Sequence, residues 1–262
     1  MRIAVLMENT AKESFLCEHG LSLYIECLGK KILFDTGAGP GFAENAAKLG
    51  IDLAEVDIAV ISHGHNDHGG GIRKFMELND KAPIYVAEEA FGRHYNAELK
   101  EISIDGGILA SGRVRLVKDV LEIAPGMQLS TQNKRPRPYY NNNYGLQRLV
   151  KGQLLPDSFE HEIYLSIEEN GKRIVFSGCS HKGILNVVDW LRPDIVVGGF
   201  HFFKLDVSKP EDIKILDNAA EILKVSGAKY YTCHCTGLSQ FDYLSKQLDN
   251  VEYISAGTCL EL

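Results

Sequence analysis

Residues 62–71 read Ser-His-Gly-His-Asn-Asp-His-Gly-Gly-Gly. Three imidazoles (His63, His65 and His68) and one carboxylate (Asp67) fall within six positions. Imidazole nitrogen and carboxylate oxygen are the ligand set of zinc, iron and manganese. His63 and His65 stand two apart, so on an extended segment their rings point to one side. Asp67 and His68 can then turn toward a second point nearby, and the glycines permit the tight backbone that this needs. One segment can therefore serve two neighbouring metals but complete neither sphere. The remaining ligands must come from distant strand ends. A plain polar surface loop does not account for four ligand-type residues set directly after an apolar strand.

That strand is Val56 to Ser62, a largely apolar run suited to burial on both faces. Upstream, residues 2–7, 21–27 and 31–35 read as short strands, with a hairpin turn at Leu28-Gly29-Lys30. The glycine-rich loop Asp35 to Gly41 and a helix over 42–49 follow. Downstream come a helix over 72–78, a strand over 83–87, and weak alternation from about 90 to 130. Residues 131–159 read as one long loop, and loops of that length are functional or mobile. Strands over 162–168 and 172–177 are joined at Glu169-Asn170-Gly171. In the last third, apolar stripes at helical spacing (Ile184/Val187/Val188/Leu191, Ile213/Leu216/Ala220/Leu223 and Leu238/Phe241/Leu244/Leu248) alternate with short strands, and core packing explains all three. No composition break marks a linker. The expectation is one α/β domain over residues 1–262, with two sheets and outer helices.

The chain has 262 residues, 45% hydrophobic and 24% charged, a globular balance rather than a disordered one. A formal net charge of −7 argues against coating nucleic acid, though a local basic patch can still hold a small anion. No apolar run approaches bilayer-spanning length, and the run at 1–7 is too short for a signal-peptide core. A cytoplasmic protein with neither membrane nor nucleic-acid partners is expected. The six cysteines have no disulfide-framework spacing and read as reduced, packed thiols, although Cys233 and Cys235 flank His234.

His63-Gly64-His65-Asn66-Asp67-His68 matches the HxHxDH signature of the metallo-β-lactamase superfamily, and the chain resembles that family along nearly its whole length. Leu33-Phe34-Asp35-Thr36-Gly37 resembles the family's first motif, in which Asp35 would support the metal loop from behind. The resemblance implies a four-layer αββα sandwich of two mixed sheets, with metals on loops at the sheet edges. More narrowly, four segments resemble the branch named after a dihydropterin ribofuranosylaminobenzene phosphate synthase. They are Glu18-His19-Gly20-Leu21-Ser22, Gly178-Cys179-Ser180-His181, Gly199-Phe200-His201 and His234-Cys235-Thr236-Gly237. Hydrolases of the family carry a bridging Asp after a strand-end Gly, whereas here Gly178 is followed by Cys179. Set against that pattern, His181 is expected to complete the first metal and His234 the second. Cys179 could substitute as a ligand, though packing is its expected role.

Two divalent metals are thus expected, zinc first, with iron or manganese as alternatives. The expected reaction is hydrolysis of a small anionic ester or phosphoester by a metal-bound hydroxide. Asp67 would orient the hydroxide and His201 protonate the leaving group. His19 reads equally as a supporting or a structural residue, while His94 and His161 read as surface residues. The loop from Lys134 to Tyr144 reads as a lid in which Arg135, Arg137 and Tyr140 hold an anionic or aromatic substrate, with Lys182 as a further phosphate contact. The alternatives are a synthase acting on a phosphoribosyl substrate, a di-iron redox module using Cys179, Cys233 or Cys235, and a metal-bound binding protein without turnover.

Overall fold

The computed structural model describes all 262 residues. The chain opens with β1 (Arg2–Met7), β2 (Ser22–Cys27), β3 (Lys30–Phe34), α1 (Gly41–Lys48), β4 (Ile58–Ile61), α2 (Asn66–Gly69), α3 (Ile72–Leu78) and β5 (Ile84–Ala87). The middle holds β6 (His94–Tyr95), β7 (Val114–Val117), β8 (Val120–Ala124), β9 (Met127–Ser130), β10 (Gln147–Val150), β11 (Gln153–Pro156), β12 (Tyr164–Glu169) and β13 (Lys172–Ser177). The last third alternates α4 (Ile184–Leu191), β14 (Ile195–Gly198), α5 (Pro210–Ser226), β15 (Lys229–Thr232), α6 (Leu238–Leu244), β16 (Val251–Tyr253) and β17 (Cys259–Glu261).

Two seven-stranded mixed sheets result, in the orders β17-β1-β2-β3-β4-β5-β7 and β16-β15-β14-β13-β12-β9-β8. In the first, β3, β4, β5 and β7 run parallel; in the second, β13 to β16 do. Period-two alternation sends the side chains of β13 to two different cores. Ile174 and Phe176 join the core between the sheets, while Val175 joins the one under α4, α5 and α6. Phe34 and Phe176, with ring centroids 6.0 Å apart, meet across the sandwich. Each such fully buried apolar side chain stabilises the fold by roughly 1.5–3 kcal/mol. Phe42 and Ala46 of α1 and Ile72 and Phe75 of α3 are buried on the first sheet, which completes the αββα layering.

The turn between β2 and β3 places Leu28 at φ 49° and Gly29 at φ 72°, a primed turn whose twist suits a two-residue hairpin. The expected long loop at 131–159 is corrected by the structure. Residues 147–156 form the β10–β11 hairpin, which pairs with β6 as a small third sheet. Its turn, Lys151 at φ 49° and Gly152 at φ 83°, is again primed.

This topology gathers loops. The C-terminal ends of parallel strands β3, β4, β13, β14 and β15 lead into Asp35, Ser62–His68, Gly178–His181, Gly199–His201 and Cys233–Cys235 respectively. Every expected ligand is thereby delivered to one edge of the sandwich, some from each sheet.

Candidate metal centre

Asp35 follows β3 in a left-handed conformation, φ 61°, and is fully buried. Its Oδ1 accepts the Ser62 N–H at 2.6 Å, and its Oδ2 accepts Ser62 Oγ–H and His68 Nδ1–H, both at 2.7 Å. The one proton of the Ser62 hydroxyl goes to this carboxylate, so Oγ accepts from His63 Nδ1 at 2.8 Å. One buried carboxylate therefore fixes the tautomers of two imidazoles. Both His63 and His68 carry their proton on Nδ1 and present a lone pair at Nε2.

His234, after β15, is set the same way. Its Nδ1 donates to Asn9 Oδ1 at 2.8 Å, and its backbone N–H donates to buried Glu8 Oε1 at 2.6 Å. Its Nε2 lone pair then faces that of His68 at 3.2 Å. Two lone pairs that close repel unless a cation lies between them. Asp67 Oδ2 stands 3.4 Å from His234 Nε2 and 3.8 Å from His68 Nε2. Two nitrogens bound tetrahedrally to one zinc at about 2.0–2.1 Å would lie about 3.3 Å apart, so this donor set fits a metal ion. His63 Nε2 and His181 Nε2 repeat the spacing at 3.2 Å. His65 is buried with its Nε2 unpartnered, its ring centroid 4.6 Å from His63 and 4.8 Å from His181. The residues thus fit two positions, one at His63 and His181 with the His65 ring beside them, and one at Asp67, His68 and His234.

The electrostatics agree. Burial, helped by neighbouring imidazoles, holds His63, His65 and His181 well below the ordinary imidazole range, which keeps their ligand lone pairs free. Burial disfavours a charged His234 as well, yet the Asp67 contact, with Cys235 and Glu8 nearby, pushes it up to about 9. Burial likewise opposes ionised Asp67, but His68 and His234 hold its carboxyl far below the usual carboxylate range.

Gly178 sets the approach of the second sheet. A Cβ there would lie 2.2 Å from Ser62 Oγ and 3.1 Å from His63 Nδ1. Only glycine lets the end of β13 come this close to the β4 loop. Past it, Cys179 is buried with Sγ 3.2 Å from His68 Nε2. His201, at φ 58° after β14, packs its ring 4.2 Å from His181. Burial lowers it to about 3, so it is neutral near pH 7.

A cavity of about 360 Å³ opens over these groups. Asp67, His65, Cys179, His181, His201 and His234 form its floor, and exposed Lys100, Lys204 and Phe203 stand at its mouth. His19 is on the rim, its Nε2 3.4 Å from Asp67 Oδ2.

Several expectations are corrected here. Lys182 does not face the cavity; it is fully buried, and its Nζ donates to the carbonyls of Thr131 and Glu162. Arg135 lines a separate surface concavity with Glu122, Gln132 and Trp190, and Arg137 does not line the metal cavity. The segment is tied along α4 rather than free to act as a lid: Trp190 Nε1 donates to Pro136 O, and Tyr139 N to Asn186 Oδ1. Tyr140 lies beside His181 and His201 in a narrow crevice, and Tyr144 Oη donates to His201 O at 3.2 Å. His94 and His161 are not surface residues but are buried, at 2% and 1% exposure. Gly64 N–H donates to His161 Nδ1 at 2.9 Å, which leaves the ring proton on Nε2, 3.2 Å from Asp157 Oδ2. His161 therefore has no lone pair for a metal, and it clamps the peptide between the ligands His63 and His65. His94 Nδ1 donates to the same Asp157 oxygen at 2.8 Å. Sequence reasoning missed Glu8, Asn9 and Asp157. The first two had a readable signal, polar residues directly after an apolar strand.

A sequence model of the metallo-beta-lactamase superfamily matches residues 18–222. The chain is 28% identical to the 7,8-dihydropterin-6-methyl-4-(beta-D-ribofuranosyl)-aminobenzene-5'-phosphate synthase of Methanocaldococcus jannaschii, over 100% of this chain and 96% of that protein. It is 29% identical to an uncharacterised protein of the same organism, over 97% and 98%. A crystal structure of Tm1679, a metal-dependent hydrolase of the beta-lactamase superfamily, superposes with a TM-score of 0.86 at 29% identity, covering 100% of this chain and 99% of that one. Two mixed sheets, the HxHxDH loop after β4 and these full-length likenesses together make this chain a member of the metallo-beta-lactamase superfamily.

Proposed function

We propose that this chain is an enzyme that uses two divalent metal ions to hydrolyse a small anionic ester or phosphoester. The observation that carries this reading is the meeting of tautomer-fixed lone pairs, His68 with His234, at the floor of an open cavity. Bound ions would supply an acidified water and polarise a carbonyl or phosphoryl oxygen, with zinc favoured over iron or manganese. Asp67 holds its charge against burial and faces His19, His68 and His234. His201, beside His181 at the cavity floor, is held neutral by burial, so it is placed to hydrogen-bond a substrate rather than to protonate the leaving group as the sequence led us to expect. Lys100 and Lys204 offer the positive charge for an anionic substrate, and Phe203 an apolar wall.

Elemental analysis of the purified protein tests the reading. About two ions per chain are expected, with ester or phosphoester turnover abolished by chelation and restored by adding metal back. Metal near zero after reconstitution would end it, and a coloured protein rich in iron would favour the redox alternative. The full-length likeness to a synthase supports a second reading, bond formation on a phosphoribosyl substrate. Two ions with no turnover across an ester panel would favour that one.

The mouth lysines have a separable effect. Lys204→Ala and Lys100→Ala are each expected to raise KM for an anionic substrate about fivefold, the value of about 1 kcal/mol for an exposed charge contact, with kcat nearly unchanged. An equal rise for a neutral analogue would show that the lysines do not read charge.

A further inference from the structure

We propose that the side chain of Cys179 is a bridging thiolate, shared between the two metal positions. The proposal rests on the two-metal reading and adds a sulfur ligand to it. Cys179 is the residue common to two buried groups of ligand atoms, His63/Cys179/His181 and His68/Cys179/His234, and within each group the atoms lie no more than 4.8 Å apart. Its Sγ is 3.2 Å from His68 Nε2, the nitrogen whose lone pair Asp35 leaves free. The His63 and His181 ring nitrogens, themselves 3.2 Å apart, lie within 4.8 Å of the same sulfur. Nearby His65 Nε2 is buried without a partner and lines the same cavity.

The backbone is built to bring the sulfur there. Gly178 has its missing Cβ taken up by Ser62 Oγ, so the strand end drops Cys179 between the two groups. Cys235 is occupied otherwise, its Sγ–H donating to the Cys179 carbonyl at 3.3 Å. A thiolate has lone pairs for two metals. Two bonds of about 2.3 Å at one sulfur span ions about 3.5–4 Å apart, the usual separation in two-metal sites. Binding converts the Cys179 thiol to thiolate and releases its proton to solvent, with no change of oxidation state. A soft sulfur bridge selects zinc, iron or cobalt over manganese and magnesium.

Cobalt(II) titration of the metal-stripped full chain tests this by absorbance. In wild type a near-ultraviolet sulfur-to-cobalt charge-transfer band is expected to grow through both the first and second equivalents. Cys179→Asp, which restores a carboxylate bridge, is expected to bind two cobalt ions without the band. Cys179→Ser is expected to lose the band too, and Cys233→Ser and Cys235→Ser to keep it. Two cobalt ions bound in wild type without any band would overturn the proposal and leave the two-metal centre standing. A band that survives in Cys179→Asp would overturn it as well, and one that saturates at the first equivalent would make the sulfur a ligand of one ion only. Failure of wild type to bind cobalt would overturn the two-metal reading and this inference with it.

Discussion

Asp35→Ala is expected to weaken metal binding by about 10–100-fold, although Asp35 touches no metal position. The carboxylate accepts three buried hydrogen bonds, two from Ser62 and one from His68. Without it the Ser62 hydroxyl can turn toward His63 Nδ1, and His63 then moves its proton to Nε2 and loses its ligand lone pair. His68 loses the acceptor that sets its ring angle. Two buried N–H groups, Ser62 N and His68 Nδ1, are left without partners, at roughly 1–3 kcal/mol each. The metal-free variant should therefore unfold at lower denaturant, with stability reduced by roughly 2–6 kcal/mol. Metal affinity from a competing chelator and a urea melt measure the two effects. Wild-type affinity in the variant would mean that the imidazoles are oriented by something other than Asp35.

His63→Ala and His234→Ala have the largest expected effect on turnover. Each is expected to lose about one ion per chain and to fall to the activity of the chelated protein. The two histidines serve different positions: His63 faces His181 Nε2 at 3.2 Å, and His234 faces His68 Nε2 at the same distance. His161 replaces neither, since it is tied by Gly64 and Asp157. Metal content and kcat/KM on one ester measure both consequences. A variant with one ion and full activity would mean that a single ion carries the chemistry.

The ligand loop was legible because its members are neighbours in the chain, and a strand followed by HxHxDH needs no tertiary knowledge. The strands and helices of the last third were legible for the same reason, since period-two and helical stripes are local signals. The basic segment was misread because a loop has no period: nothing local says which way Arg135 or Arg137 points, and the packing of Trp190 on Pro136 decides it. Lys182 was misread through its neighbour, since adjacency to His181 in sequence says nothing about the opposite direction its side chain takes. The β10–β11 hairpin escaped because its residues are half-buried or exposed, so hydrophobic alternation is faint. Lys151-Gly152 was the available turn signal. His161 and His94 were invisible as buried groups because their partner, Asp157, lies 63 positions from His94 and reaches it only through the fold.

Both proposed metal positions draw on both sheets. His63 and His181 come from the ends of β4 and β13, and His68 and His234 from loops after β4 and β15. Elsewhere the two halves of the sandwich adhere through apolar side chains such as Phe34 and Phe176, a contact with no preferred direction. At the ligand edge bound ions would instead fasten the seam by directional bonds, acting as rivets as well as reagents. On the two-metal reading, the relative setting of the two sheets at that seam would fix the spacing of the ions, and any substitution that slid one sheet on the other would be felt first as a change in the chemistry.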